Sequence, residues 1–264
     1  MAPLRAMSFN VRYGNAEDGE YAWPRRREAA IDVVRRYSPD VAGLQEALDY
    51  QVDEFAAAMP GFSCVGAGRD DGLRQGEFAA ILFRAGRLDL IDSGTFWFSQ
   101  EPLTPGSRHP ECYHPRICTW ATLADRESGV RFRVCNLHLD NESEDARFLG
   151  VDMVLSVASG EADFLPLARV PTLVLGDFNV GEDHPCIESL HSRGFSDSYR
   201  LAHPDDGIAG TYHGFGTVEA VEKIDFIFTD RSWSVSNAGI IREKIDGHWP
   251  SDHYPVTAEV SVVS

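Results

Sequence analysis

The chain has 264 residues, 43% hydrophobic and 25% charged, a composition that supplies ample apolar material for a core and excludes an intrinsically disordered chain. At this length folding buries about three-quarters of the unfolded surface. A formal net charge of −17 with no polybasic arm argues against tight non-specific binding to nucleic acid, whose affinity comes from lysine and arginine displacing counterions from phosphates.

In chain order, LRAMSFNVRY (4–13) reads as an apolar strand. A helix opens near Pro24, a residue suited to a first helical turn. Ala29, Ala30, Val33 and Val34 recur at helical spacing, and Ser38-Pro39 ends the run. VAGLQE (41–46) is a short buried strand, and residues 50–58 form a helix closed by Pro60-Gly61. The middle is β-rich: FSCVGAG (62–68), EFAAILFR (77–84), LDLIDSGTFWF (88–98), ICTWATLAD (117–125) and VRFRVCNLHLD (130–140), separated by turn residues. Helical spacing resumes over 143–164. VPTLVLGDFN (170–179) is an apolar strand ending in polar residues, a helix follows near 184–193, and KIDFIFTD, WSVSNAGII and YPVTAEVSV close the chain as strands. Two β-sheets packed together with helices outside satisfy this α/β order, within one domain over 1–264. The polar stretch from about 99 to 116 is long for a connection, which is a mark of functional loops.

The five cysteines, Cys64, Cys112, Cys118, Cys135 and Cys186, are odd in number and form no C-x-x-C pair, so a reducing compartment is expected. The N-terminus carries no apolar stretch of signal-peptide length, and no run approaches the roughly 18 apolar residues of a membrane span. The expectation is a cytoplasmic protein.

Several segments share one arrangement: SFN, LQE, NLHLD, LGDFN, KIDFIF and SDHYP each run an apolar strand out into Asp, Asn, Glu or His. Polar groups at strand ends converge at one mouth of a sheet sandwich. Buried charges there need a cation or each other, and an oxygen-rich cluster suits Mg²⁺ or Mn²⁺.

As an ordered set, SFN (8–10), GLQE (43–46), GEFAAILF (76–83), NLHLD (136–140), LGDFN (175–179), KIDFIF (223–228) and SDHYPV (251–256) resemble the endonuclease/exonuclease/phosphatase superfamily over nearly the whole chain. The resemblance implies a four-layered α/β sandwich: two packed mixed β-sheets flanked by helices. It also implies a divalent-metal-dependent phosphoesterase, using Mg²⁺ (or Mn²⁺), that hydrolyses a phosphodiester or phosphomonoester. Carried over by motif, Glu46 is the main metal carboxylate, with Asn10 and Asp252 helping. Asp177 activates the attacking water, and Asn179, pointing the same way along an extended segment, holds the phosphate. His253 is the essential histidine with Asp225 as its partner. His138 with Glu77 resembles a second histidine–carboxylate pair, found in pancreatic deoxyribonuclease, that protonates the leaving oxygen.

Abasic-site endonucleases of the superfamily carry Asp two residues after the first Asn, where this chain has Arg12. GTFWFSQEP (94–102) resembles a bacterial branch of the superfamily, whose substrate class the motifs do not fix. Substrate contacts are expected from Arg116, bidentate to phosphate, with Tyr113 and His114 beside it. A zinc reading of His109, Cys112, His114 and Cys118 fits no standard ligand spacing. Trp23, Trp97 and Trp249 either line the mouth or pack in core and rim. A small-molecule or lipid-headgroup ester is favoured over nucleic acid, because of the acidity. A metal-dependent nuclease is the alternative, and a non-catalytic binding protein of the same fold a remote one.

Overall fold

The computed structural model describes residues 2–263. The chain begins with β1 (Leu4–Asn10), α1 (Trp23–Tyr37), β2 (Val41–Ala47), α2 (Asp49–Ala58), β3 (Phe62–Val65) and β4 (Phe78–Arg84). β5 (Leu88–Trp97), β6 (Ile117–Asp125), β7 (Arg131–His138), α3 (Glu144–Ser159) and β8 (Thr172–Asp177) follow. It closes with α4 (Pro185–Ser192), β9 (Ser196–Asp197), α5 (Ser198–Ala202), β10 (Asp225–Thr229), β11 (Trp233–Ile240) and β12 (Val256–Val262).

The strands form two mixed six-stranded sheets, ordered β11-β12-β1-β2-β4-β3 and β5-β6-β7-β8-β10-β9. Each contains one parallel pair, β1 with β2 and β7 with β8, joined by the crossover helices α1 and α3. Alternation along the strands divides most of the apolar side chains among three large cores, and Ala79, Trp97 and Ile117 form a small fourth cluster. Leu4, Ala6, Val41, Ile81, Leu123, Val134, Leu173, Val256, Ala258 and Val260 fill the space between the sheets. Met7, Phe9, Leu44 and Leu82 meet α1 and α2. Cys135, Leu137, Val174 and Phe226 meet α3 and α4. The result is the four-layered sandwich that the motif set implies.

Local chemistry sets the element ends. α1 stops at Ser38, left-handed at φ 55°, before Pro39. α3 starts where the Ser143 hydroxyl accepts the Ala146 N–H and ends at left-handed Gly160, so residues 160–164 leave the expected helix. β3 ends at Val65 because Gly66 turns to φ 143°. The short β9 and α5 lie in a stretch with no clear periodicity.

A polar layer ties the sheets together below the strand ends. Gln45 donates from Nε2 to Asn136 Oδ1 at 2.6 Å, and Asn136 donates from Nδ2 to the carbonyls of Leu44 and Ala80. A Cβ at Gly43 would overlap the Asn136 amide, so the glycine of GLQE makes room for this bridge. All five cysteines stand unpaired, and among the described residues no helix is long and apolar enough to cross a membrane.

Candidate active site

The parallel pairs bring Asn10, Glu46, His138 and Asp177 to one end of the sandwich. Within its sheet Asp177 stands in register with both His138 and Asp225. Asn10 is fully buried and links the two sheets: Nδ2 donates to Glu46 Oε1 and to Asp177 Oδ2, each at 2.9 Å. Its Oδ1 already accepts the Arg12 N–H. Asn10 therefore offers the carboxylates an N–H rather than an oxygen, and it acts as a brace beneath the expected metal site. Glu46 adopts φ 62° where the β2–β4 register shifts between Leu44 and Ala47, and its Oε2 accepts the Tyr13 N–H at 2.8 Å. Such a conformation costs an ordinary residue about 1 kcal/mol or more and persists only where surroundings enforce it.

The two histidines are driven to opposite states. Burial alone lowers His253, but Asp225 Oδ2, 2.9 Å from Nδ1, and the nearby Asp177 and Asp252 hold it well above its ordinary value. Burial, reinforced by Arg116 and Arg69, holds His138 well below it. One ring is a cation and the other neutral, a separation that assigns different acid–base roles. Burial and then Asp225 push Asp177 up to about 7. Burial also raises Glu77 to about 7, against the pull of Arg69, and raises Asp252.

A cavity of about 790 Å³ opens over this floor, lined by Glu46, Glu77, His138, Asp177, Asn179, Asp252 and His253 and by Arg12, Arg69, His114 and Arg116. Its donor set fits a hard cation. Ligating atoms of Glu46, His138 and Asp177 lie within 4.8 Å of one another, and neutral His138 is free to serve as a ligand. A second grouping, Asp177, Asp225 and His253, fits less well because the His253 ring is protonated and bonded to Asp225. Asp252 belongs to neither and lies 3.6 Å from Arg12 Nε.

Several expectations need correction. Glu77 is 3.9 Å from His138 Nδ1, beyond hydrogen-bond range, and instead accepts from Arg69 Nη1. Asn179 does not continue an extended strand. It is left-handed at φ 53°, its N–H is bonded to Asp177 Oδ1, and its Nδ2 donates to Leu139 O, although it lines the cavity. Arg116 commits two of its five N–H donors, on Nε and Nη2, to Asp140 and Asn141, which leaves three for a ligand. Tyr113 is 81% exposed, packs edge-on to His114 and does not line the cavity. Trp23 and Trp97 are buried; Trp249 packs on His213 at the rim. Cys118 is a core side chain.

Two arginines of the site carry no warning in the sequence. Arg69, in the Gly-rich run after β3, is buried against Glu77, with its carbonyl held by Trp97 Nε1 at 2.6 Å. Arg26, on the inner face of α1, donates to the carbonyls of Val11, Arg12, Tyr21 and Pro250 and so fastens the loops flanking Asn10 and Asp252. Neither sits in a pattern that separates it from ordinary surface arginines.

The sequence model of the Endonuclease/Exonuclease/phosphatase family matches residues 7–253. The chain belongs to this family. A family structure from Bacteroides vulgatus is 30% identical, with a TM-score of 0.90 and 100% of both chains covered. The mannosyl-6-phosphatase of Bacteroides thetaiotaomicron, also of this fold, is 30% identical, with a TM-score of 0.87 over 98% of this chain and 99% of that one. Among curated relatives, the CCR4-Not complex 3'-5'-exoribonuclease subunit of Mycosarcoma maydis is 24% identical over 98% of this chain and 50% of its own length. The chain thus spans about half the length of the curated relatives it matches first. Members of the family are phosphoric ester hydrolases, both nucleases and phosphatases.

Proposed function

We propose that the protein is a divalent-metal-dependent phosphoesterase acting on a small, polar phosphate ester, with a sugar phosphate as the leading substrate class. The observation that carries this reading is the convergence on one cavity of a carboxylate–histidine floor and the arginines Arg69 and Arg116. The likeness to a mannosyl-6-phosphatase over nearly the full length of both chains supports the substrate class.

Glu46 would hold the cation, with Asp177 and His138 in reach. Mg²⁺ or Mn²⁺ bound there supplies stabilisation of negative charge on a phosphate oxygen. Asp177, aligned by the Asn10 amide and the Asn179 N–H, orients the attacking water and takes its proton. His253, kept charged by Asp225, donates from Nε2 to the phosphate. Arg116 Nη1 and the Arg69 guanidinium add donors at the wall. Glu77, raised by burial to about 7 and itself lining the cavity, is the proton source for the leaving oxygen.

The test is a panel of hexose 6-phosphates, p-nitrophenyl phosphate, bis-p-nitrophenyl phosphate, sphingomyelin, single-stranded RNA and plasmid DNA, each with Mg²⁺, Mn²⁺ or chelator. Metal-dependent turnover of the hexose phosphates is expected, falling at least about 10³-fold in Asp177→Asn, within the range for loss of a general base. Turnover of no substrate with either metal removes the hydrolase reading. Preference for RNA or DNA establishes the second reading, a nuclease, which the exoribonuclease relatives favour.

A further inference from the structure

The feature left unused by this chemistry is Arg12, a cation set among the carboxylates. We infer that Arg12 is a built-in counterion for Asp252 that restricts the site to a single divalent cation. The inference rests on the metal-dependent reading above.

The position is unusual in shape. Arg12 stands two residues after Asn10 and lines the cavity beside Asp252. Its backbone is left-handed at φ 61°, and hydrogen bonds surround the turn. The Arg12 N–H donates to Asn10 Oδ1, the Arg12 carbonyl accepts from Arg26 Nη2 and Gln51 Nε2, and the next N–H donates to Glu46 Oε2. A strained residue held from every side marks a place where direction matters.

The side chain is held as firmly. Nε and Nη2 grip Asp18 at 3.1 and 2.9 Å, a two-pronged pair that fixes the guanidinium plane. Nε then lies 3.6 Å from Asp252 Oδ2 inside the cavity. As a guanidinium Arg12 is charged at any accessible pH, and its Nε side is held between Asp18 and Asp252. A divalent ion at Asp252 would meet this fixed charge at close range and would have to displace it. Among the described residues Glu46 forms no ion pair with an arginine, and the cation beside Asp177 is His253, whose Nδ1 lies 3.9 Å from it and is already bonded to Asp225. One grouping is left open to a cation and the other carboxylate is already neutralised.

The experiment is Mn²⁺ binding to the whole protein, followed by calorimetry and by the loss of the free Mn²⁺ electron paramagnetic resonance signal. The wild type is expected to bind one Mn²⁺. Arg12→Asp is expected to bind two, Arg12→Gln to gain a weaker second site, and Arg12→Lys to keep one. Circular dichroism melts without metal establish that each variant is folded; if Arg12→Asp is not, Arg12→Gln carries the comparison. Two Mn²⁺ on the wild type, or one on the folded Asp and Gln variants, overturns the inference while leaving metal-dependent hydrolysis standing. No Mn²⁺ on the wild type removes both.

Discussion

The floor and the wall of the cavity are built on different principles. The floor consists of residues at the ends of central strands: Asn10, Glu46, His138 and Asp177, joined across the sheets by one amide and placed by strand register. The wall consists of Arg69, His114 and Arg116, which come from the loop after β3 and from the long connection between β5 and β6. Groups on packed strands are held by the core and can sustain a strained Glu46 or a carboxylate pushed up to about 7. Loop groups are held by one another, as when Trp97 bonds the Arg69 carbonyl or Asp140 bonds Arg116. On the proposed function, reaction type belongs to the strand ends, and substrate choice to loops that change without disturbing the core.

Arg69 gives the largest way to break this division. If it serves only the wall, Arg69→Met weakens substrate binding and leaves the floor intact, so KM rises about tenfold or more at nearly constant kcat. It also leaves Glu77 buried without its hydrogen-bonded cation. Removing one partner of a buried pair costs about 3–5 kcal/mol, so a lowered Tm is expected as well. The double variant Arg69→Met/Glu77→Gln should recover much of the Tm and none of the KM. Recovery of both would mean that Arg69 acts through Glu77 and not on the substrate.

A smaller effect concerns the segment at 210–216, which joins wall to floor. His213 is buried, stacks on Tyr254 with ring centroids 3.9 Å apart, and accepts the Gly216 N–H at Nδ1. Burial, with the charge of His253, lowers it to about 4. The unfolded chain regains an ordinary histidine near 6.5, so between those values it binds a proton that the folded chain refuses. Stability is then fully present above about pH 6.5 and declines as pH falls toward 4. Thermal melts of the wild type and His213→Asn across this window should converge as pH drops; parallel curves would show that His213 does not carry the dependence.

The same division explains what could be read in the sequence. Strand periodicity and the polar strand ends point to two packed sheets with polar residues at one mouth, and the motif resemblance supplies the four-layered architecture and the residue roles. Nothing local shows that Asn10 turns its N–H to the carboxylates, or that Asn179 leaves the strand in a left-handed turn, because their partners Glu46 and Leu139 stand 36 and 40 residues away. Arg69 and Arg26 were invisible for a related reason. Their burial is offset by Glu77 and by backbone carbonyls that only the fold assembles. Glu77 was found by its motif and then given the wrong partner, since the arginine that claims it lies in a glycine-rich loop without periodicity.

Tyr113 offers the finest test. Close to His114 and Arg116 in sequence, it was expected to touch the substrate, yet its ring stands 81% exposed and outside the cavity. Its carbonyl accepts from Arg108 Nη1, and its ring meets the rest of the fold through edge packing on His114. Removing an exposed side chain of this kind changes stability by no more than about 0.5 kcal/mol, and one outside the cavity makes no contact through which kcat/KM would change. Tyr113→Ala should therefore be nearly silent on a small phosphate ester. A loss of about tenfold would mean that the wall extends past the cavity rim to a longer substrate, and it would move the boundary between floor and wall outward along the loop from Arg116 to Tyr113.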